Sequence, residues 1–303
     1  MVRLQDHVFT NRYAIGVFDG VGTSTRPDLI SFALARECNL RTSKVASPAS
    51  TENNSLATLI EVASSDAMKN EGHAALSWAM ATQLSNGHQQ RQDAVTASTA
   101  CLVRVASFGT EDSRQYAIHA ANVGDGFWIV LRQGAGNLWS ELAHSEPSFH
   151  DRTRSGARPP LQIAYDLRGT WVMRGDVSNR AHRSEVPVQS GDIVLAMSAG
   201  AVDNLPIAVD QPHRSLAAWI VSRINRDVRS IRWTPEKLVS IFKQRVQSSM
   251  RSAYAKHDDY SIVAARVSIG LPAPSPTLAA GTNVYPDRKS TRLNSSHGYI
   301  SYA

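Results

Sequence analysis

Three short apolar runs within residues 98–131 constrain the fold of this chain more than any other feature of its sequence. Each run has the length of a β-strand and is too short for a typical globular helix. Polar turns over residues 109–113 and 123–126 separate the runs, and short turns of this kind join strands that pair antiparallel. We therefore predict a meander of three strands, over residues 98–106, 116–121 and 127–131.

Apolar residues recur at helical spacing on both sides of this meander. Predicted helices cover residues 28–38, 55–69 and 74–84, and a fourth begins at Pro235, directly after Thr234. A hydroxyl side chain followed by proline is typical of a helix N-terminus. Because helices and strands are segregated along the chain, we predict an α+β fold with antiparallel sheets. Its further strands are predicted over residues 13–19, 161–164, 171–174, 193–197 and 261–267.

Composition excludes several classes of protein. The chain has 303 residues, of which 42% are hydrophobic and 19% charged, so it can build an extensive core. Apolar runs fall short of the roughly 18–20 residues of a membrane span, and no signal or transit peptide is evident. Cys38 and Cys101 form no Cys-x-x-Cys pair, so we expect buried reduced thiols rather than zinc or a disulfide. These features favour an intracellular protein, cytoplasmic or mitochondrial, with no membrane partner.

The charge of the chain is mildly basic. Its net charge is +6, and three basic residues against one acid in residues 287–303 supply +2 of that. Arginines at 223, 226, 229 and 232 recur every three residues beside Trp233. Such a stripe is either a phosphate-binding surface or the solvated face of a helix. We expect the second, and no nucleic-acid partner.

Acidic residues stand at the ends of the predicted strands: Asp6, Asp19, Asp125 and the pair Asp258–Asp259. One aspartate at a strand end is commonly a turn or capping residue. Several carboxylates gathered by the fold repel one another unless a cation neutralises them, and oxygen donors suit Mg²⁺ and Mn²⁺. The ten histidines form no ligand-spaced pair. The acids therefore predict a hard-cation site, in which two ions about 3.5–4 Å apart can hold a phosphate for in-line attack.

Five sequence blocks, in this order, resemble the protein phosphatase 2C family of metal-dependent serine/threonine phosphatases. The Asp-Gly-Val-Gly form of the first block is similar to the branch that includes the mitochondrial matrix phosphatase. The resemblance implies a four-layer α-β-β-α sandwich, in which two antiparallel sheets pack face to face with helices outside. The blocks are IGVFDGVG (15–22), STACLVRV (98–105), AANVGDG (120–126), GDIVLAMSAGAVDNLP (191–206) and KHDDYSIVAARV (256–267).

The resemblance also implies a reaction and a set of site residues. The reaction is attack of metal-bound hydroxide on a phosphoserine or phosphothreonine of a phosphoprotein, with two or three Mg²⁺ or Mn²⁺ ions. Asp19 matches the acid that bridges two ions, and the Gly20 carbonyl matches a second ligand. Asp258 matches an acid that binds one ion, so Asp19 and Asp258 are the implied catalytic residues. Asp125 matches an acid near a third, weaker ion, and Asp6 matches an acid that holds metal-bound water.

Ala199 departs from the family pattern. The family has Thr/Ser-Asp-Gly where this chain has Ser198-Ala199-Gly200, so the resemblance implies that a metal ligand is missing. Loss of a group that merely supports a ligand costs 10–100-fold in metal affinity or activity, so we expect weak metal occupancy and activity reduced by orders of magnitude. Asp203 lies one helical turn further on, and we do not expect it to substitute. Asp259 stands where the family often has asparagine and has a supporting role.

The chain divides into a domain and a tail. We predict one phosphatase domain over residues 1–268, which the resemblance implies to begin after the family's first strand. Residues 269–286 are rich in proline and predict a disordered tail. Residues 287–303 resemble translated sequencing adapter, and we expect them to be non-native. The domain is expected to be a monomer.

Three functions stay open on the sequence. The first is a working metal-dependent phosphatase. The second is a catalytically impaired relative that binds phosphoproteins or a regulatory partner, with arginines 152, 154 and 158 contacting phosphate. The third is a nucleic-acid-binding protein, which rests on the arginine stripe alone. An error in the recorded sequence at position 199 is a further alternative to a disarmed site.

Overall fold

Two five-stranded β-sheets face each other, and helices cover their outer faces. The computed structural model describes residues 5–21, 27–44, 59–60, 63, 96–108, 115–149, 160–165, 180–205, 212–226, 233–251, 259–269 and 293–302. The four-layer α+β sandwich is thus confirmed. Its strands are β1 (His7–Thr10), β2 (Ala14–Phe18), β3 (Thr96–Ser98), β4 (Ala100–Phe108), β5 (Gln115–Val123), β6 (Phe127–Gln133), β7 (Trp139–His144), β8 (Ile163–Tyr165), β9 (His182–Pro187), β10 (Ile193–Met197), β11 (Tyr260–Ile269) and β12 (Leu293–Tyr302). The helices are α1 (Pro27–Lys44), α2 (Ala199–Val202), α3 (Pro212–Arg226) and α4 (Pro235–Ser249).

The first sheet has the strand order β1-β2-β4-β5-β9, and every neighbouring pair is antiparallel. Side chains alternate across it, as the two-residue period of a strand requires. In β2, Ala14 and Phe18 pack with Leu34 of α1, whereas Ile15 and Val17 point into the layer between the sheets. A small separate sheet pairs β3 with β8. The first sheet therefore buries one face against α1 and the other against the second sheet.

The second sheet has the strand order β12-β11-β10-β6-β7. Leu195 and Met197 of β10 pack in the cluster that contains Leu216 of α3 and Phe242 of α4, whereas Val194 faces the first sheet. The β10 strand is fully buried, which explains its continuous apolar sequence. Both faces of this sheet are thus covered.

The α4 helix begins as the sequence predicts. Thr234 is its N-cap, and the Thr234 hydroxyl accepts a hydrogen bond of 3.3 Å from the Lys237 N–H. Leu238 and Phe242 lie on the buried face of α4, at the predicted spacing. A cap and a stripe of this kind are local features, which is why the sequence alone locates the helix.

The β12 strand differs from the sequence analysis, which leaves residues 287–303 out of the fold. Leu293–Tyr302 pairs in parallel with all ten residues of β11. The outer edge of β11 presents main-chain N–H and C=O groups, and any extended segment can pair with such an edge because only main-chain atoms take part. Pairing of this kind does not bear on the origin of the segment, so the predicted domain and tail boundaries stay predictions.

Most predicted elements that fall on described residues are present. The strand over residues 193–197 has the predicted bounds, and the second and third meander strands extend slightly beyond theirs. The first meander strand, predicted over residues 98–106, is divided: residue 98 ends β3, and β4 runs from Ala100 to Phe108. The β7 and β9 strands and the α3 helix were not predicted. Of the predicted helix over residues 55–69, the structure describes residues 59, 60 and 63, which are helical. The predictions for residues 74–84, 171–174 and 270–286 lie outside the described residues.

Candidate active site

Four chain segments meet at one end of the sandwich. They are the end of β2 at Asp19–Gly20, the β5–β6 turn at Gly124–Gly126, the end of β10 at Ser198–Ala199, and the start of β11 at Asp259. Each of them carries a residue that the sequence predicts to belong to the site. The contacts that bring the four segments together are mostly made by main-chain atoms.

The backbone of Gln5 joins the site residues of the two sheets. Its carbonyl oxygen accepts a hydrogen bond of 3.2 Å from the Gly20 N–H. Its own N–H donates to Oδ2 of Asp259 at 2.8 Å. Asp6, Asp19 and Asp259 are each less than one-tenth exposed. Three buried aspartates therefore lie at the same end of the sandwich.

Ala199 follows a junction between β10 and β11. The Ser198 N–H donates to the Ser261 carbonyl at 3.0 Å, and the Ser261 N–H donates to the Ser198 hydroxyl at 2.9 Å. The Ser198 hydroxyl is thus held by the neighbouring strand, with no side-chain cap on α2. Ala199 is the first residue of α2 and is 6% exposed. A methyl group therefore occupies the strand end where the family resemblance implies a carboxylate.

Asp125 lies in a turn that packs against two other strand ends. Gly124 has φ +104°, and a Cβ there would lie 2.6 Å from Cγ2 of Thr99. A Cβ at Gly126 would lie 3.3 Å from the Met197 carbonyl oxygen. The Thr99 N–H in turn donates to the Asp19 carbonyl at 2.9 Å. Gly124 thus has a positive φ and approaches Thr99 too closely for a larger residue, and Gly126 approaches the end of β10 tightly.

The segment after β7 holds one side of this turn. The Gly124 N–H donates to the Ser148 hydroxyl at 2.7 Å, and the Ser148 N–H donates to the Gly124 carbonyl at 2.8 Å. The buried Asn122 amide donates to the carbonyls of Gly124 and Glu146, each at 3.2 Å. The position of Asp125 is therefore set by residues that the sequence analysis did not identify.

His213, near the start of α3, holds the other side. It is 2% exposed, and its Nδ1 lies 2.8 Å from the Ser145 carbonyl oxygen and its Nε2 lies 3.3 Å from the Asp125 carbonyl oxygen. Burial lowers the pKa of His213, and the two carbonyls partly offset that effect. The partners are 68 and 88 residues away in sequence. For that reason no local pattern marks His213 as part of the site.

The described residues supply part of a metal-binding set. The Asp19 carboxylate and the Gly20 carbonyl are hard oxygen donors, which fit Mg²⁺ or Mn²⁺ in kind. Within the described ranges, no group of three or more histidine, cysteine, aspartate or glutamate side chains is arranged to hold a metal ion. Asp258 lies outside the described residues, and Asp203 is exposed at the end of α2. The donors thus fit in kind but fall short in number.

The arginine stripe has a structural explanation. Arg223 and Arg226 lie in the last turn of α3, where positive charge stabilises the helix dipole. Trp233 is 3% exposed, and its indole N–H donates to the Ile224 carbonyl at 3.1 Å. The ring is therefore not available to stack on a base. Arginines 229 and 232 lie outside the described residues, as do arginines 152, 154 and 158.

Comparison with known proteins finds relatives that are protein phosphatases. No model of a known protein family matches the chain. The protein phosphatase PTC7 homolog fig of Drosophila mojavensis is 34% identical over 110 residues, which are 36% of this chain and 30% of the relative. The protein phosphatase PTC7 homolog of Homo sapiens is 28% identical over 119 residues, which are 39% of this chain and 34% of the relative. The chain thus spans about a third of the length of the curated relatives it matches.

Solved structures of phosphatases are also similar. The photosystem II phosphatase PBCP matches with a TM-score of 0.48 and 18% identity, over 80% of this chain and 72% of that chain. The catalytic domain of the serine/threonine phosphatase PstP, solved with two manganese ions, matches with a TM-score of 0.43 and 12% identity, over 82% of this chain and 88% of that chain.

The curated relatives agree with the five sequence blocks. Over 110 and 119 residues, respectively, the chain is similar to these two protein phosphatases of the PTC7 type. Among the described residues, no helix has both the length and the apolar character to cross a membrane.

Proposed function

We propose that this chain is a metal-dependent protein serine/threonine phosphatase of the 2C type, whose turnover is impaired by Ala199. One observation carries the proposal: the fold gathers Asp19, Asp259 and the Asp125 turn at one end of the sandwich, and a buried methyl group stands among them at the end of β10. The substrate class is a phosphoprotein that carries phosphoserine or phosphothreonine. The cofactors are Mg²⁺ or Mn²⁺.

The roles of the chain's own residues follow from their positions. Asp19 and the Gly20 carbonyl would hold a cation at the end of β2, Asp258 would complete that side, and Asp125 would hold a further cation from its turn. When bound, the cations supply activation of water and neutralisation of phosphate charge. Asp259 supports the site through the Gln5 N–H, which fixes its carboxylate against the first sheet.

The second candidate function is phosphoprotein binding without turnover. The observation that favours it is again Ala199, which leaves the scaffold around it intact. Ser198 still ties β10 to β11 through its main chain and its hydroxyl, so the surface at this end of the sandwich keeps its shape. A protein of this kind would bind a phosphorylated segment and hold it, and its role would be regulatory.

Hydrolysis of a phosphothreonine peptide and of an aryl phosphate, with and without millimolar Mn²⁺, separates the two candidates. The variants are Asp19→Ala, Ala199→Asp and the matched amide Ala199→Asn. We expect slow Mn²⁺-dependent turnover in the parent, none in Asp19→Ala, and a rise by orders of magnitude in Ala199→Asp alone. Turnover confined to Ala199→Asp supports the binding function. Turnover in no variant contradicts the phosphatase proposal.

The expected location is the cytoplasm or mitochondria. Cys38 and Cys101 are both buried and free, and unpaired thiols suit a reducing compartment. Fractionation of cells that express the full natural protein would decide between the two compartments. Phosphoproteins from the same fraction are then the first substrates to test.

A further inference from the structure

Polar contacts hold the Asp125 turn on both sides. Asp125 is flanked by two residues without side chains, Gly124 and Gly126, and Gly124 has φ +104°. Such a backbone has much conformational freedom of its own. Ser148 and Asn122 fix Gly124 from one side. On the other side, the His213 ring contacts the Asp125 main chain, with Nε2 3.3 Å from the Asp125 carbonyl oxygen.

Histidine is an unusual residue type for a position as buried as 213. It is 2% exposed, and its ring packs edge-on against Phe127 with centroids 5.3 Å apart. Burial of a polar ring costs free energy that a phenylalanine or leucine would not cost. The neutral ring carries one N–H. With that hydrogen on Nε2, the ring donates to the Asp125 carbonyl, and Nδ1 can accept from the Ser145 hydroxyl. Its polar contacts are thus with the main chain of Ser145 and Asp125, together with the Ser145 hydroxyl at 3.2 Å.

We infer that His213 is a positioning residue: its imidazole ties the Asp125 carbonyl to the end of β7 and so fixes the turn that presents the Asp125 carboxylate. The Ser145 end of this link is itself rigid. The Ser145 N–H donates to the Trp128 carbonyl at 2.9 Å, and the Trp128 N–H donates to the Ser145 hydroxyl at 3.0 Å. The inference rests on the proposed function, because Asp125 needs a fixed direction only if it holds a cation.

Two substitutions separate the two contacts of the ring. His213→Gln places an amide N–H near the position of Nε2 and retains the contact with Asp125. His213→Asn places it near Nδ1 and retains only the contact with Ser145. The pair has similar polarity, so a difference between them reports the Asp125 contact rather than the loss of a buried imidazole. His119→Ala is the control, because His119 is 40% exposed on β5 and lies 3.9 Å from Glu185, away from the turn.

Amide hydrogen exchange measures the effect without any metal or substrate. We expect amides of residues 123–127 to exchange about tenfold faster in His213→Asn than in His213→Gln, while those of residues 117–121 stay unchanged. His119→Ala should leave the turn as it is. Equal exchange at the turn in the Asn and Gln variants overturns the inference. Should both be too unstable to study, His213→Phe keeps the ring packing, and turn exchange at the parent rate in that variant overturns it as well.

A second measurement connects the turn to the cation. In the Ala199→Asp background, the Mn²⁺ concentration for half-saturation, followed by electron paramagnetic resonance of free Mn²⁺, should rise about 10–100-fold for His213→Asn. It should stay near the parent value for His213→Gln. Equal Mn²⁺ affinity in the two variants overturns the positioning role. Failure of Mn²⁺ to bind any variant contradicts the proposed function instead, and the exchange comparison still decides whether His213 fixes the turn.

Discussion

Replacing Ala199 by aspartate tests the site through protein stability, independently of turnover. Position 199 is 6% exposed and lies at the end of the sandwich that also buries Asp6, Asp19 and Asp259. A new carboxylate there loses solvation and meets other negative charges. Leaving one polar group unsatisfied in the interior costs about 1–3 kcal/mol. For a domain of this size about 1 kcal/mol corresponds to roughly 2–4 °C in Tm, so we expect Ala199→Asp in EDTA to melt about 3–9 °C below the parent.

Mn²⁺ should reverse this loss. A ligand at a hundred times its Kd stabilises the folded state by about 2.7 kcal/mol, which is comparable to the cost of the buried charge. Thermal unfolding followed by circular dichroism, in EDTA and in millimolar Mn²⁺, measures both effects. The matched control is Ala199→Asn, which has nearly the same volume as aspartate and carries no charge. Its Tm should respond to Mn²⁺ no more than that of the parent.

The refuting result is specific. If Ala199→Asp and Ala199→Asn melt together in EDTA, position 199 does not face the other carboxylates. If they also melt together in Mn²⁺, the new carboxylate does not reach a cation. Either outcome contradicts the assignment of residue 199 to a ligand position.

Four further predictions concern the scaffold. Gly124→Ala should lower the free energy of unfolding in urea by at least about 2 kcal/mol, because the new Cβ would lie 2.6 Å from Thr99. Gly136→Ala should lower it by only about 1 kcal/mol, because φ is +71° there but nothing lies within 4 Å of the new Cβ. Equal losses would contradict the clash. Burial lowers the pKa of His213, so its stabilising contribution is complete above the unfolded value near 6.5 and is lost as pH falls through the folded value. The parent should therefore lose stability relative to His213→Phe between pH 7 and pH 5, and a gain would contradict this sign. Tyr260→Phe should leave the urea midpoint unchanged or raise it, because the Tyr260 hydroxyl is buried with no hydrogen-bond partner among the described residues, and burial raises its pKa to about 12. A loss above about 1 kcal/mol in the free energy of unfolding would contradict this. Removal of residues 287–303 should leave cooperative unfolding intact and increase self-association through the exposed β11 edge, which light scattering would measure. Loss of the cooperative transition would show instead that these residues are part of the domain.

Local signals account for the parts of the fold that the sequence predicts. The β10 strand is a continuous apolar run with glycine close by at both ends, and its bounds are as predicted. The start of α4 is marked by Thr234 and Pro235, which act within one helical turn. The β7 and β9 strands are half-polar edge strands, so their alternation is weak. Their place in the sheets depends on pairing with β6 and β5, which a local pattern does not encode.

The residues of the candidate site likewise divide into those that the sequence predicts and those that it does not. Asp19, Asp125 and Asp259 could be named in advance because aspartate at a strand end is a local feature. Ala199 could be named because it stands at the acidic position of a block that the family resemblance identifies. The residues that hold these positions could not be named. Gln5 acts through its own main chain on the carboxylate of Asp259, and the His213 ring contacts the main chain of Asp125. Both partners are far away in sequence, and the side-chain types of Gln5 and His213 suggest no such role.

The contacts that hold the fold at this end of the sandwich are separate from the side chain at position 199, so the proposed loss of a ligand there would leave the fold intact. The junction between β10 and β11 uses the Ser198 main chain and hydroxyl, and it makes no use of the side chain at 199. The frame that directs Asp19 and Asp259 is likewise built on the Gln5 backbone. In the absence of a cation, alanine at 199 removes one buried negative charge, so the metal-free fold is more stable with it. Under the proposed function, alanine at position 199 would therefore favour a metal-free, correctly folded protein at the expense of turnover. The second candidate function, phosphoprotein binding without turnover, would then follow from the same substitution.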